Sequence, residues 1–315
     1  MKNNSSVIKF IIFMVTLMGL AISSRPTMAF DFNITVNGKP LDLNKNSQSN
    51  QQDSAEKSGK TRSYSKSPVG PDVLGFRVGM KPADAAAVFK SRGIKLTEQT
   101  DWLRGGNNNS SAPVTKEKYL VKLGECSGGY DANTFCVYFT PVPGEQRIME
   151  IQRRAFYPRG KHPTLDAFER SLVEKYGDPT QVDGKGGTGI TYWWIFDSNG
   201  ALHKPKSFNY VKCSDQLEIG NEGRRGLYQS SKKRIKEVSE SLPIQCGSIG
   251  LKIYIYFHRG VYEGHNSLVE IVSTNLIGWD ANIGSAMEAR AVAEQLMDNL
   301  SKDAIKRGQK AKPDL

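Results

Sequence analysis

The chain is expected to fold as an α+β protein: two helix-plus-antiparallel-sheet blocks, a long C-terminal helix and two disulfides. Three observations carry that expectation. Short helices with marked ends alternate with runs of period-two apolar patterning, as in helices packed on antiparallel strands. Four cysteines, an even number, follow an amino-terminal segment built like a secretory leader. The carboxy-terminal stretch repeats apolar residues at helical spacing over many turns.

The leader comes first. Lys2 and Lys9 bracket a polar start, and Phe10 to Ile22 forms an apolar run of about 13 residues, shorter than the ~20 that span a bilayer. Thr27-Met28-Ala29 supplies a small-x-small cleavage signal, so residues 1–29 read as a signal peptide, with an uncleaved anchor as the alternative. The expected location is therefore the periplasm or the outside of the cell, and the mature chain is expected to be soluble. The full sequence carries a net charge of +11, and removing Lys2, Lys9 and Arg25 leaves +8. Such a surplus favours polyanions. For an exported chain these are an anionic envelope component, a lipid surface or an acidic protein, and no nucleic acid is expected.

Residues 30–71 read as a short strand and a flexible linker. "FDFNITVNGKPLDL" alternates Phe30, Phe32, Ile34 and Val36 before the turn dipeptide Asn37-Gly38, and the Asn-, Gln-, Ser- and Lys-rich run that follows has little to bury. The first block covers 72–160. Pro82 suits the first position of a helix, Met80 stands where it can staple onto Ala85, and Gly93 ends the helix. Ala85, Val88 and Phe89 make its inward stripe. Strands are expected over Tyr119–Leu123, Thr134–Thr140 and Arg147–Phe156.

The second block covers 161–312. Thr164 caps a helix with Leu165, Phe168, Leu172 and Tyr176 on one face, stopped by Gly177 and Pro179. Strands are expected over Gly189–Phe196, Ser207–Cys213, Leu251–His258 and Ser267–Thr274. Ser285 and Glu288 form a capping box for the last helix, with Ala289, Val292, Leu296, Met297 and Leu300 on one face. Pairing cysteines within each block joins Cys126 to Cys136 and Cys213 to Cys246. The second bridge closes the longer loop and is worth ~3–4 kcal/mol in the chain-entropy model. It remains one of three connectivities.

The stretch "GFRVGMKPADAAAVFKSRG" resembles the opening of exported bacterial helix-on-meander domains. These include the β-lactamase inhibitor protein and the small lipoproteins of outer-membrane assembly. "PTLDAFERSLVEKYGDPT" is similar to a segment of uncharacterised bacterial exported proteins. The resemblance implies a helix-on-meander fold and carries no catalytic positions. The inhibitor's habit of one disulfide per repeat matches the proposed pairing in style.

No catalytic signature emerges, so catalytic residues, cofactors and metals are all expected to be none. No Gly-x-Ser-x-Gly elbow is present, and "DGKGGTG" precedes a strand rather than the helix a phosphate-binding loop needs. His258 and His265 flank a turn holding Glu263, a set able to ligate zinc, although a polar turn explains it as well. Glu150 and Glu270 sit mid-strand and are expected to face solvent. Trp193 and Trp194 should point to opposite faces, one in the core and the other partly exposed or under a helix.

Binding surfaces are better marked. In "LKIYIYFH", Leu251, Ile253, Ile255 and Phe257 should face the core, which places Lys252, Tyr254, Tyr256 and His258 on the other face. That face is either a recognition surface or a second core layer beneath the final helix. The run "RRGLYQSSKKRIK", with Arg224, Arg225, Lys232 and Lys233, is either an anionic-surface contact or a solvated surface loop. The functional expectation is an exported, non-enzymatic binding protein for an envelope component or another protein. Its alternatives are a carboxylate-dependent hydrolase of envelope polymers and a secreted host-interaction factor.

Overall fold

The computed structural model describes residues 35–36, 39–40, 64–105, 113–184, 187–204, 232–241 and 246–310. The chain divides into two units, Met1–Leu43 and Asn44–Leu315. In the first, β1 (Thr35–Val36) pairs antiparallel with β2 (Lys39–Pro40), as the Asn-Gly turn predicts. The leader lies outside the described residues. Among those described, no helix is long and apolar enough to cross a membrane.

The second unit opens with a hairpin of β3 (Val69–Val73) and β4 (Phe76–Val78), followed by α1 (Pro82–Ser91). The hairpin lies partly within the stretch read as linker. Tyr64 is also tied to the body, donating a hydrogen bond of 2.7 Å to Glu288. Four strands follow: β5 (Glu98–Arg104), β6 (Pro113–Glu125), β7 (Thr134–Phe139) and β8 (Ile148–Phe156). Then come α2 (Leu165–Tyr176), β9 (Gln181–Asp183), β10 (Gly189–Phe196) and β11 (Leu202–His203). The chain finishes with α3 (Lys232–Ser241), β12 (Ile249–Phe257), β13 (Val269–Gly278) and α4 (Trp279–Lys310).

The two expected meanders meet in one nine-stranded antiparallel sheet, ordered β11-β10-β12-β13-β8-β7-β6-β5, with β9 also on β10. The junction is β13 against β8, in register from Ile271–Phe156 to Ile277–Glu150. One face of this sheet is the main core. Leu123, Val137, Ile151, Leu251, Ile253 and Trp194 come from the strands, Phe89 and Leu172 from α1 and α2, and Phe76 from the hairpin. Burying such side chains stabilises by about 1.5–3 kcal/mol each.

The helix punctuation works as read. Pro82 is the first residue of α1 and Gly93 has φ 63°. Thr164 Oγ accepts from the Ala167 amide at 3.4 Å, and Gly177 closes α2 with φ 77°. Cys126 and Cys136 are bonded, bridging the β6–β7 connection. Cys213 and the expected strand Ser207–Cys213 lie outside the described residues, while Cys246 is buried.

Several expectations need correction. The last helix begins at Trp279, directly after β13, not at Ser285. Ser285 is fully buried inside it, and its hydroxyl bonds back to the Asn282 carbonyl at 3.3 Å, so it caps nothing. Met297 and Leu300, placed on the inward stripe, are 44% and 51% exposed, because the stripe follows Ile283, Ala286, Ala289, Val292, Ala293 and Leu296. The basic insertion is not wholly loop. Lys232 and Lys233 open α3, which forms because Ile235 and Val238, one turn apart, are buried where α3 meets α4.

Candidate functional site

Strand β12 alternates as its sequence dictates: Ile249, Leu251, Ile253, Ile255 and Phe257 are buried, while Lys252 and Tyr254 are half-buried and Tyr256 is 39% exposed. The second set occupies the sheet face opposite the main core. Helix α4 crosses that face at the Gly250 end of β12. A Cβ on Gly250 would sit 2.3 Å from the Trp279 ring, so only glycine lets the helix lie this close. Further along the strand, no described helix lies over Tyr254 and Tyr256, whose rings stand edge to face with centroids 4.2 Å apart.

These side chains line a concavity of about 510 Å³. Its walls come from four adjacent strands: Thr191 of β10, Lys252, Tyr254 and Tyr256 of β12, Ser273 and Asn275 of β13, and Gln152 and Arg154 of β8. Cys126 and Thr134 close one side. Register makes this set: Lys252 pairs with Asn275 and Trp193, and Asn275 pairs with Gln152. Residues opposite one another in an antiparallel ladder share a face.

The electrostatics are cationic. The Lys252 ammonium lies 5.1 Å above the Trp193 ring, and the Arg154 guanidinium lies 5.5 Å from the Tyr130 ring. Two buried polar atoms here find no hydrogen-bond partner among the described residues: Arg154 Nε, a donor, and Asn275 Oδ1, an acceptor. Orphaned buried polar atoms are few in native proteins, and a water, an ion or a ligand can supply the partner. Trp193, on the same face, is 2% exposed rather than partly open, and Trp194 lies in the core, donating to the Gly177 carbonyl at 2.8 Å.

Strand alternation places His258 on the tyrosine face, but β12 ends at Phe257 and His258 starts a short 3₁₀ turn. Its ring stacks on that of His162, with centroids 4.4 Å apart and planes 31° from parallel. Its Nδ1 stands 3.6 Å from Glu270 Oε1. The zinc set read from the local sequence is not assembled. His265 Nδ1 lies 3.7 Å from Glu169 Oε2 instead, with its own ring largely exposed. Glu169 also takes the hydroxyl of Tyr192, whose ionisation burial and that carboxylate both push up.

Neither mid-strand glutamate faces open solvent. Glu150 is 1% exposed and accepts from Gln152 Nε2 at 2.8 Å. It pairs with Ile277, next to the Gly250 position that Trp279 covers, so the helix buries this cross-strand row. Glu270 is half-buried, and Tyr130 donates to its Oε2 at 3.4 Å. Desolvation and the Glu270 charge push the Tyr130 hydroxyl up. Arg224 and Arg225 lie outside the described residues.

Strand alternation locates the tyrosines but not Arg154, Asn275 or Thr191. Those join the face only through pairing across strands. No protein-family model matches the chain, and neither the curated proteins nor the solved structures yield a match.

Proposed function

We propose that the chain is an exported, non-enzymatic binding protein that recognises an anionic envelope component or another protein through the open face of its sheet. One observation carries the reading: the concavity brings Lys252 and Arg154 together with the paired rings of Tyr254 and Tyr256. Tyrosine offers broad contact area at low entropy loss, and cations beside it favour carboxylate or phosphate groups. The unpartnered Arg154 Nε and Asn275 Oδ1 add a donor and an acceptor able to fix a ligand's orientation. The leader-like residues 1–29 support export, as does the Cys126–Cys136 bridge. The Cys213–Cys246 bridge is part of the same proposal. The likeness of α1 and its flanks to exported helix-on-meander domains is an analogy of fold and points the same way.

The hydrolase alternative draws no support from this concavity, because its described lining residues include no aspartate or glutamate.

Crosslinking in the native envelope, followed by pull-down with the purified full chain, tests the reading. The double variant Tyr254→Ala/Tyr256→Ala, and separately Lys252→Glu, should weaken capture about tenfold or more while the melting temperature stays close to wild type. Undiminished capture by both variants would refute the assignment to this face.

A further inference from the structure

We propose that His162, His258 and Glu270 form a binding site for a zinc-class divalent transition metal ion. The inference stands apart from the open sheet face and survives if that reading fails.

The donor set is what such an ion takes. Two imidazoles and one carboxylate each offer a ligand atom, and all three atoms lie within 4.8 Å of one another. Zinc bonds of 2.0–2.1 Å in a tetrahedron separate neighbouring donors by about 3.3 Å. The 3.6 Å between His258 Nδ1 and Glu270 Oε1 is already close to that spacing. It is also too long for a hydrogen bond, and His258 Nδ1 is a buried atom with no such bond among the described residues. This nitrogen is thus buried beside a carboxylate with no hydrogen bond of its own among the described residues. A metal ion supplies the missing partner.

The backbone holds the three residues together independently of any ion. His258 N donates to the Leu268 carbonyl at 2.7 Å, and Val269 N donates to the Pro163 carbonyl at 2.9 Å. Tyr157 N donates to Glu270 O at 2.9 Å, and Leu165 N to Ser267 O at 2.8 Å. The segment carrying His162 and the turn after β12 that carries His258 are thus both fastened to the start of β13 and the two residues before it. Such prior ordering favours binding, since little conformational freedom remains to be lost. On Glu270, the hydroxyl of Tyr130 meets the other oxygen, Oε2, as outer partners of ligating carboxylates commonly do. Three protein ligands leave one tetrahedral position for water or for a group of another molecule. The soft-to-borderline nitrogen pair selects zinc, copper, nickel or cobalt over calcium and magnesium.

The test uses the purified full chain without a histidine tag. Zinc alone is titrated by calorimetry, with cobalt as an absorbing substitute and calcium and magnesium as controls. The expected result is one zinc per chain, a raised melting temperature, and cobalt bands of tetrahedral type. His162→Ala and Glu270→Gln should each weaken zinc about a hundredfold or more, and Tyr130→Phe less. The metal-free melting temperature of each variant is recorded, so that a folding defect is seen as such. Lack of zinc binding at submillimolar concentration, or equal binding by wild type and both ligand variants, would overturn the site. Six-coordinate cobalt spectra unchanged by His162→Ala would do the same.

Discussion

Asp72 shows how much one side chain can connect. Its Oδ1 accepts from the Gly75 amide at 2.8 Å, closing the turn between β3 and β4, where Leu74 and Gly75 both have positive φ. The same oxygen takes the Lys175 ammonium at 3.2 Å, and its carbonyl takes the Tyr176 hydroxyl at 3.1 Å, so the hairpin is tied to α2. Burial opposes ionisation of Asp72, but the Gly75 amide and Lys175 outweigh it and hold the carboxyl below its ordinary value. Burial, followed by the Asp72 charge, pushes Tyr176 up to about 12. A depressed carboxyl contributes stability that is complete above its unfolded value and is lost as pH falls through the folded one. Asp72→Asn should therefore melt below wild type at pH 7, with the gap closing below about pH 4. Thermal melts from pH 7 to pH 2.5 check this, and a gap independent of pH would exclude the ionic account. Residue-scale partnerships were the least visible in the sequence. Closeness in the chain matches His258 with His265, whereas the ring it meets, His162, lies almost a hundred residues earlier.

Among elements, α1 is the one whose logic is complete in its own residues. Pro82 begins it, Gly93 ends it, and Phe89 on its inner face is fully buried. The tertiary arrangement adds what the pattern could not contain. The Phe89 ring meets Phe76 of the hairpin at 5.0 Å and Phe135 of β7 at 5.5 Å, both edge to face. Gly124 of β6, at φ 83°, is bare where a Cβ would come 2.8 Å from that ring and 2.3 Å from the Phe135 carbonyl. Phe89→Ala should destabilise by about 3–5 kcal/mol in denaturant melts, as expected for an aromatic lost from a closed core. A loss below about 1 kcal/mol would mean that the three-ring cluster contributes little. The start of α4 was hidden for the opposite reason. Gly278 and Gly284 resemble breaks, and Ser285 with Glu288 resembles a cap, but β13 passes into the helix without a connecting loop. Gly278 is there because a Cβ would strike the Val78 side chain at 2.6 Å. A glycine kept for close packing and one kept for a turn are the same letter in the sequence. The edge strand β5 is hard to read for a similar reason: "EQTDWLR" has no clean alternation, and its pairing with β6 slips register twice.

At the scale of the whole molecule, the decisive feature is the union of β13 with β8, which makes one sheet of two meanders. Each meander was legible from period-two patterning, but their joining was not, because strand order is set by pairing between distant segments. The consequence is a graded stability. Strands β12, β13 and β8 stand in the middle of the sheet, with Leu251, Ile253, Ile255, Ile151 and Leu276 buried in the core. Strands β5 and β11 stand at the ends of the strand order, β5 carrying exposed Glu98 and Thr100 and β11 only two residues long. Central amides open only when the sheet as a whole unfolds, whereas edge amides open locally. Native-state hydrogen exchange should find the slowest amides in β12, β13 and β8, sharing one opening free energy and one denaturant dependence. If the two meanders were instead independent, amides of β8 and β13 would report two opening free energies separated along their shared ladder. The same experiment on Gly250→Ala distinguishes the covering helix from the sheet. Pushing Trp279 off β12 should speed exchange along α4 by more than tenfold, while β7 and β8 lose protection only as global stability falls.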